Sequence, residues 1–397
     1  MKPASVTTVL KIATVTGAFL ALSEFRLMAD YPWEPPPDKI VIMAVNAHPD
    51  DEGIFFGGAL TYYSAARRLP TLLVSLTSGD WIPSNLTVRE EELRCAAWTY
   101  GLRYEPLFPR FRDVPSQSLN PNPYRNTIDA TWDYWADGVL QGDGSDVQAG
   151  KLRAIHYLAE QIRRYRPEVI ISHDTKGEYG HDNHRATAYV ATNAFFVAAD
   201  PGAAAPNLAG LPPWQAKKLY LHLYPVNRLF HRFGEDAIPD LTNRTPRQVA
   251  DLGLDCHVSQ GRPDVSTVYR VGENFDGYSS EWWGLYASTV GPDTVLSNSL
   301  IVNGYTVPAG VAAGDFLEHI VVEPGRPPCF TNIARCADSS VQITVEAAPG
   351  QTYVVEATTN MQSSVWQPMA TNVSGTNKFQ FVEPANAPRR YYRAVIP

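Results

Sequence analysis

The sequence predicts an α/β protein, with a mostly parallel sheet covered by helices on both faces and a small all-β sandwich at the C-terminus. Two observations carry this. From Lys39 onward, short and continuously apolar runs alternate with segments of helical period. Beyond the proline-rich stretch Pro324 to Pro328, the pattern changes to short strands of alternating polarity separated by turn residues.

The first strand is expected at Ile40 to Val45 (IVIMAV), because an unbroken apolar run is what a strand buried on both faces requires. Gly57 to Arg68 reads as a helix and Thr71 to Leu76 as the next buried strand. Val88 to Tyr100 has helical period and is stopped by Gly101. Lys151 to Arg164 is a further helix, Pro167 to Ser172 a strand, His184 to Ala198 a helix and Lys218 to Tyr224 a strand. In such sheets, ligands bind beyond the carboxyl ends of the strands. Chemistry is therefore expected in the segments immediately after the strands.

Two stretches resist assignment. Residues 119–150 are rich in Asn, Pro, Asp and Gly and read as a long insertion loop carrying Tyr124, Trp132, Tyr134 and Trp135. Residues 272–319 are rich in aromatic side chains, among them Trp282 and Trp283. After the linker, Val341, Ile343 and Val345, then Tyr353, Val355 and Ala357, then Phe379 and Phe381 alternate as sandwich strands do. The expected division is an N-terminal signal or arm at 1–29, an α/β domain at 30–323, a linker at 324–330 and a β-sandwich at 331–397.

The formal charge of −8 argues against a nucleic-acid partner, since neutralising phosphates needs a basic face. Met1-Lys2, the apolar run Ile12 to Leu22 and the small residues near Ser23 resemble a secretory signal, which places the protein outside the cytoplasm, secreted or in the periplasm. That run is too short for a stable membrane span. Of the four cysteines, Cys329 and Cys336 are close enough in sequence to bridge in an oxidising compartment. Cys95 reads as a buried thiol on a helix face, and Cys256 has no obvious partner.

The sharpest feature is His48-Pro49-Asp50-Asp51-Glu52, directly after the first strand. His48 and Asp51, three positions apart in a tight turn, can face one metal ion, while Asp50 points elsewhere. Tyr179-Gly180-His181-Asp182-Asn183-His184 comes after another strand and opens a helix, and His184 can complete the set. Two imidazoles and one carboxylate leave a tetrahedral zinc site open for water, which is how catalytic zinc sites are built. A carboxylate must then accept the proton of that water, and Asp50 is the candidate. His181 stands opposite, to stabilise an oxyanion or protonate a leaving amine. Each motif alone has a plain reading as turn punctuation or a helix cap. Two of them at the ends of two parallel strands do not. His173-Asp174 is expected to steady the site rather than ligate, since a fourth protein ligand would close it. His156 and His222 read as structural, and His257 is ambiguous between core and pocket. No glycine-rich phosphate loop and no Gly-x-Ser-x-Gly elbow is present.

These residues resemble the GlcNAc-phosphatidylinositol de-N-acetylases and LmbE-like deacetylases. The resemblance is carried by Ala47-His48-Pro49-Asp50-Asp51-Glu52, by Arg89-Glu90-Glu91-Glu92-Leu93 with Ala96 and Gly101, and by Gly180-His181-Asp182-Asn183-His184. It covers residues 39–323. It implies a Rossmann-like fold with zinc (or iron) held by His48, Asp51 and His184, and Asp50 as general base. It further implies His181 as the partner of the oxyanion and Arg89 near the substrate. Tyr179 matches a position that approaches the substrate carbonyl in mycothiol-pathway members. The chain departs from the family's usual His-Pro-Asp-His, reading His181-Asp182-Asn183-His184, with both histidines kept at their spacing.

The function these features imply is metal-dependent removal of an acetyl group from an N-acetylglucosamine-type sugar. A zinc amidase acting on a thiol–sugar conjugate or a non-sugar amide is the competing enzyme reading. A carbohydrate-binding protein without turnover is the reading of another class. The expected partner is a small amino sugar or glycan, with Trp132, Trp135, Trp282 and Trp283 offering either faces for sugar rings or a second hydrophobic core. The oligomeric state is open.

Overall fold

The computed structural model describes residues 31–395 apart from 32, 81–85, 115–126, 140–143, 233–242, 261–278, 303, 323–328, 337–339, 347–351, 360–365, 374–377 and 385–389. The expected signal at 1–29 and most of the 324–330 linker lie outside these residues. In chain order the first half holds β1 (Ile42–Asn46), α1 (Asp51–Ile54), α2 (Ala59–Thr61), β2 (Thr71–Ser75), α3 (Leu86–Thr99), α4 (Ile128–Asp137), α5 (Val147–Tyr165), β3 (Val169–Ser172) and α6 (Asp182–Ala199). Then come β4 (Lys218–His222), β5 (Arg228–His231), α7 (Pro246–Leu254), β6 (Trp282–Ser288), β7 (Leu300–Val302), β8 (Tyr305–Val307) and β9 (Ala312–Gly314). The C-terminal strands are β10 (Cys329–Arg335), β11 (Ser340–Glu346), β12 (Thr352–Thr358), β13 (Gln367–Val373), β14 (Lys378–Pro384) and β15 (Tyr391–Val395).

The main sheet has seven strands in the order β2-β1-β3-β4-β6-β5-β9. Pairing is parallel from β2 through β4. It turns antiparallel where β6 joins β4 and β5, and β5 and β9 run parallel. β1, β2, β3 and β4 are buried along their whole length, the outcome the continuous apolar runs of β1 and β2 predict, whereas β4 also buries Lys218 and His222. Alternate residues of β1 feed two cores. Ile42 and Ala44 face a cluster with Leu93, Ala97 and Tyr100 of the α3 side and Leu254 of α7. Met43 and Val45 face a cluster with Trp132, Leu158, Ala191 and Phe195 of α4, α5 and α6. The strand order reverses at β1, whose successor β2 and later neighbour β3 lie on opposite sides. Both motifs lie beyond the strand ends at this switch point, where sheets of this kind bind ligands.

The 119–150 stretch is not a long loop: its described part holds α4, capped by the Thr127 hydroxyl at Ala130 N, and the start of α5. The insertion reading overlooked Trp132, Tyr134 and Trp135, which pack into the core instead of lining a loop. The aromatic stretch after 272 supplies β6 and the short strands β7–β9, and β5 and α7 also had no clear sequence signal. The C-terminal strands form two three-stranded antiparallel sheets, β10-β11-β14 and β13-β12-β15. Their facing sides bury Ile343, Val345, Val355 and Phe379. Cys95 is not a free thiol: it is bonded to Cys256 and ties α3 to the segment after α7. Cys336 is a free thiol, and the side chain of Cys329 lies outside the described residues.

Candidate metal centre and active site

β1 delivers the loop Ala47–Asp50, and α1 begins at Asp51. The turn is tight because the Asp51 carboxylate accepts the backbone N–H of His48 at 2.7 Å. This carboxylate is the centre of the site. Its Oδ2 lies 3.2 Å from His48 Nδ1 and 3.4 Å from His173 Nε2, and its Oδ1 lies 3.2 Å from His184 Nε2. Burial raises the Asp51 pKa, but the imidazoles of His184 and His48, with His173 close by, outweigh it and hold the carboxyl well below its usual range. The imidazoles answer in kind. Burial lowers the His48 pKa, while Asp51 and Asp113 more than reverse this and bring it to about 9. Positive charge is thus favoured where these side chains meet.

His184 Nδ1 lies 2.9 Å from Glu178 Oε2, so that nitrogen carries the proton and Nε2 is left bare. The bare Nε2 is buried and has no hydrogen-bond partner among the described residues. An orphaned imidazole nitrogen beside a buried carboxylate is what a divalent cation would satisfy. The donor groups lie close enough for one ion in two overlapping sets, His48 with His181 and His184, and Asp51 with His173 and His184. His173 Nε2 accepts the backbone N–H of Ala47 at 3.0 Å, so its lone pair is already engaged. That favours the steadying role expected of His173.

Asp50 sits at φ 119°, a conformation non-glycine residues avoid. Two groups hold it there: Glu52 Oε2 accepts its N–H at 2.9 Å, and Arg89 reaches both the Pro49 carbonyl and Asp50 Oδ2, the latter at 3.3 Å. Burial raises the Asp50 pKa, Arg89 lowers it and Asp51 raises it again, with a balance near 6. Arg89 is itself buried and aimed at Asp50. It can lie there because position 79 is glycine: a Cβ on Gly79 would overlap the guanidinium.

His181 caps α6, its Nδ1 accepting Asn183 N–H at 3.2 Å. In the neutral ring the proton is therefore on Nε2. Burial, then His48 and His184, push the His181 pKa down to about 3, so the ring is a neutral donor near pH 7. Tyr179, at φ 45° and half exposed, stands over the site with its ring centre 5.3 Å from His184 and 5.6 Å from His181. All the residues named from the two motifs come together.

The tryptophans do not join them. Trp132, Trp135 and Trp283 are buried core residues, and Trp282 packs on Phe230 beneath the Arg228 guanidinium. Sequence reasoning also missed a supporting layer. Glu178 accepts from His173, His184 and His222 together. Hence His222, read as structural, backs the site. Asn183, at one of the two positions where the chain departs from the usual motif, bridges Thr131, Asp113 and His48 Nε2. His257 is buried and binds Glu52. A Glu three residues before His181 was a readable signal for Glu178. Nothing local signalled Asp113, which reaches the site from across the β2 edge.

Residues 43–195 match the PIG-L family model, described as GlcNAc-PI de-N-acetylase. The 1D-myo-inositol 2-acetamido-2-deoxy-alpha-D-glucopyranoside deacetylase of Nocardiopsis dassonvillei is 30% identical over 254 residues, which is 58% of this chain and 77% of that protein. The chain belongs to the PIG-L family. The same enzyme from Thermobifida fusca is 32% identical over 247 residues, 58% of this chain and 76% of its own. Among solved structures, N,N'-diacetylchitobiose deacetylase from Pyrococcus horikoshii aligns over 60% of this chain and 77% of its own, at 16% identity and a TM-score of 0.38. As a PIG-L protein the chain is a metal-dependent N-deacetylase.

Proposed function

We propose that this PIG-L enzyme hydrolyses the acetamide of an N-acetylglucosamine-type sugar conjugate, with zinc held by His48, Asp51 and His184. The observation that carries the reading is the Asp51 carboxylate set 3.2 Å from His48 Nδ1 and 3.2 Å from a His184 Nε2 that has no hydrogen-bond partner among the described residues. When bound, a divalent ion supplies Lewis acidity, lowering the pKa of water and polarising an acyl carbonyl.

The chain's own residues supply the rest. Asp50, with a pKa near 6, is ionised at neutral pH and accepts a proton from the attacking water as the new C–O bond forms. The same carboxyl returns that proton to nitrogen as the C–N bond breaks, so acetate and a free amine leave. Neutral His181 donates through Nε2–H to the oxygen that gains charge, and costs little to keep neutral because its pKa lies near 3. Arg89 holds Asp50 in its strained conformation, so the base is positioned before substrate arrives. The Cys95–Cys256 bond supports export to an oxidising compartment. Among the described residues no helix is long and apolar enough to cross a membrane.

The test is acetate release from a panel of N-acetylated sugars, sugar–inositol conjugates and chitin fragments. Release abolished by EDTA and restored by zinc is the expected result. Cleavage of a plain amide or thiol conjugate, with no sugar on the panel turned over, would transfer the site to the amidase reading.

A further inference from the structure

We propose that His257 is a positioning residue for Asp50, acting through Glu52 and anchored by the Cys95–Cys256 bond. The inference rests on the reading of Asp50 as the base. Glu52 is fully buried, and its two oxygens are divided between two tasks. Oε1 accepts His257 Nε2–H at 2.8 Å and the Tyr100 hydroxyl at 3.0 Å. Oε2 accepts the Asp50 N–H at 2.9 Å and the Asn46 amide at 3.4 Å. Asp50 at φ 119° cannot rest in this conformation by its own preference, and conformations of that kind persist only where neighbours over-determine them. Glu52 is the neighbour on the backbone side, and a carboxylate this buried needs its donors to stay in place.

The His257 side chain is committed to Glu52. Its Nδ1 is buried and has no hydrogen-bond partner among the described residues. The segment that presents it is riveted to α3 twice. Cys256 is bonded to Cys95, and Ser259 gives Glu92 both its N–H at 2.7 Å and its hydroxyl at 2.6 Å. The end of α7 also fits flat on Tyr100, where a Cβ at Gly253 would overlap the ring. α3 is the helix that carries Arg89, the second group holding Asp50. The α3 helix and residues 256–259 therefore act as one clamp, gripping Asp50 by its carboxylate from Arg89 and by its backbone from Glu52. Asp51 lies between Asp50 and Glu52 in sequence, but among the described residues Arg89, Glu52 and His257 make no hydrogen bond to His48, Asp51 or His184, so loosening the clamp should act on the base and leave the metal.

The experiment compares His257→Leu and His257→Gln in the full chain loaded with zinc, each also combined with Asp50→Asn, with metal content measured alongside. His257→Leu should lower kcat about tenfold or more, the scale of one lost hydrogen bond to a charged group, with KM and zinc stoichiometry unchanged. His257→Gln, which keeps a donor, should recover part of that loss and covers the case in which the leucine variant fails to fold. In the Asp50→Asn background the His257 changes should cost nothing further. Wild-type kcat in His257→Leu, an undiminished loss in the Asp50→Asn background, or loss of zinc would each overturn the proposal. Wild-type turnover in Asp50→Asn alone would instead remove Asp50 as the base, and the inference would fall with it.

Discussion

Glu178 Oε2 lies 2.9 Å from Nδ1 of His184, inside a turn that ends one residue before His181. The same oxygen takes His173 Nδ1 at 2.7 Å, and the other oxygen takes His222 Nδ1 at 2.7 Å. Burial raises the Glu178 pKa, but the His173, His184 and His222 contacts overcome it and keep the carboxylate ionised well below its usual range. One buried anion thus sets the tautomer of the imidazole that faces Asp51 and braces the loop between β3 and α6. Glu178→Gln, which offers one acceptor and one donor where two acceptors are needed, should weaken zinc about 10- to 100-fold. Chelator competition on the purified variant measures this directly, and unchanged affinity would make Glu178 a purely structural residue.

Asp50 and His181 should separate chemistry from metal binding. Asp50→Asn should keep its zinc and lose a factor of about 10² or more in kcat. His181→Ala should lose about 10² to 10³. Single-turnover acetate release with metal content measured on the same samples checks both, and a variant at wild-type rate would need its residue reassigned.

The Cys95–Cys256 bond closes a loop with a sequence separation of 161 residues. Bonds across long loops restrict the unfolded chain most, so the Cys95→Ser/Cys256→Ser pair should lower stability by about 2–5 kcal/mol. Denaturant unfolding of the two proteins compares them, and a midpoint within error of wild type would show that the bond contributes little to the folded state.

The two C-terminal sheets bury their own small core of Ile343, Val345, Val355 and Phe379. A chain ended at Val322 should therefore remain folded and turn over a small substrate at a rate close to that of the full chain. Insolubility, or soluble protein with zinc but no activity, would show that the sandwich and the α/β part are one unit.

Much of this site was legible along the chain. The His48–Asp51 spacing and the His181–His184 spacing survive as geometry because each pair is local: a three-residue separation in a tight turn or at a helix start brings side chains to one side whatever the rest of the fold does. The buried strands were legible for a similar reason, since β1, β2 and β3 are buried on both faces and their interiors are continuously apolar. The helix α4 was missed because its sequence, IDATWDYWAD, lies among turn-forming residues, and its aromatic face only makes sense against α5 and α6.

By itself the sequence determined the α/β class, the residues that meet at the ends of β1 and β3, and the chemistry that two imidazoles, a carboxylate and a free base can perform. The tertiary structure alone decided what stands behind them. Glu178 reaching three histidines, Asp113 near His48, Cys95 bonded to Cys256 and His257 holding Glu52 are contacts that depend on distant parts of the chain. No local period or spacing encodes them. They exist because buried charges and donors must be paired once the core has closed, and which partner is within reach depends on the packing of elements far apart in sequence.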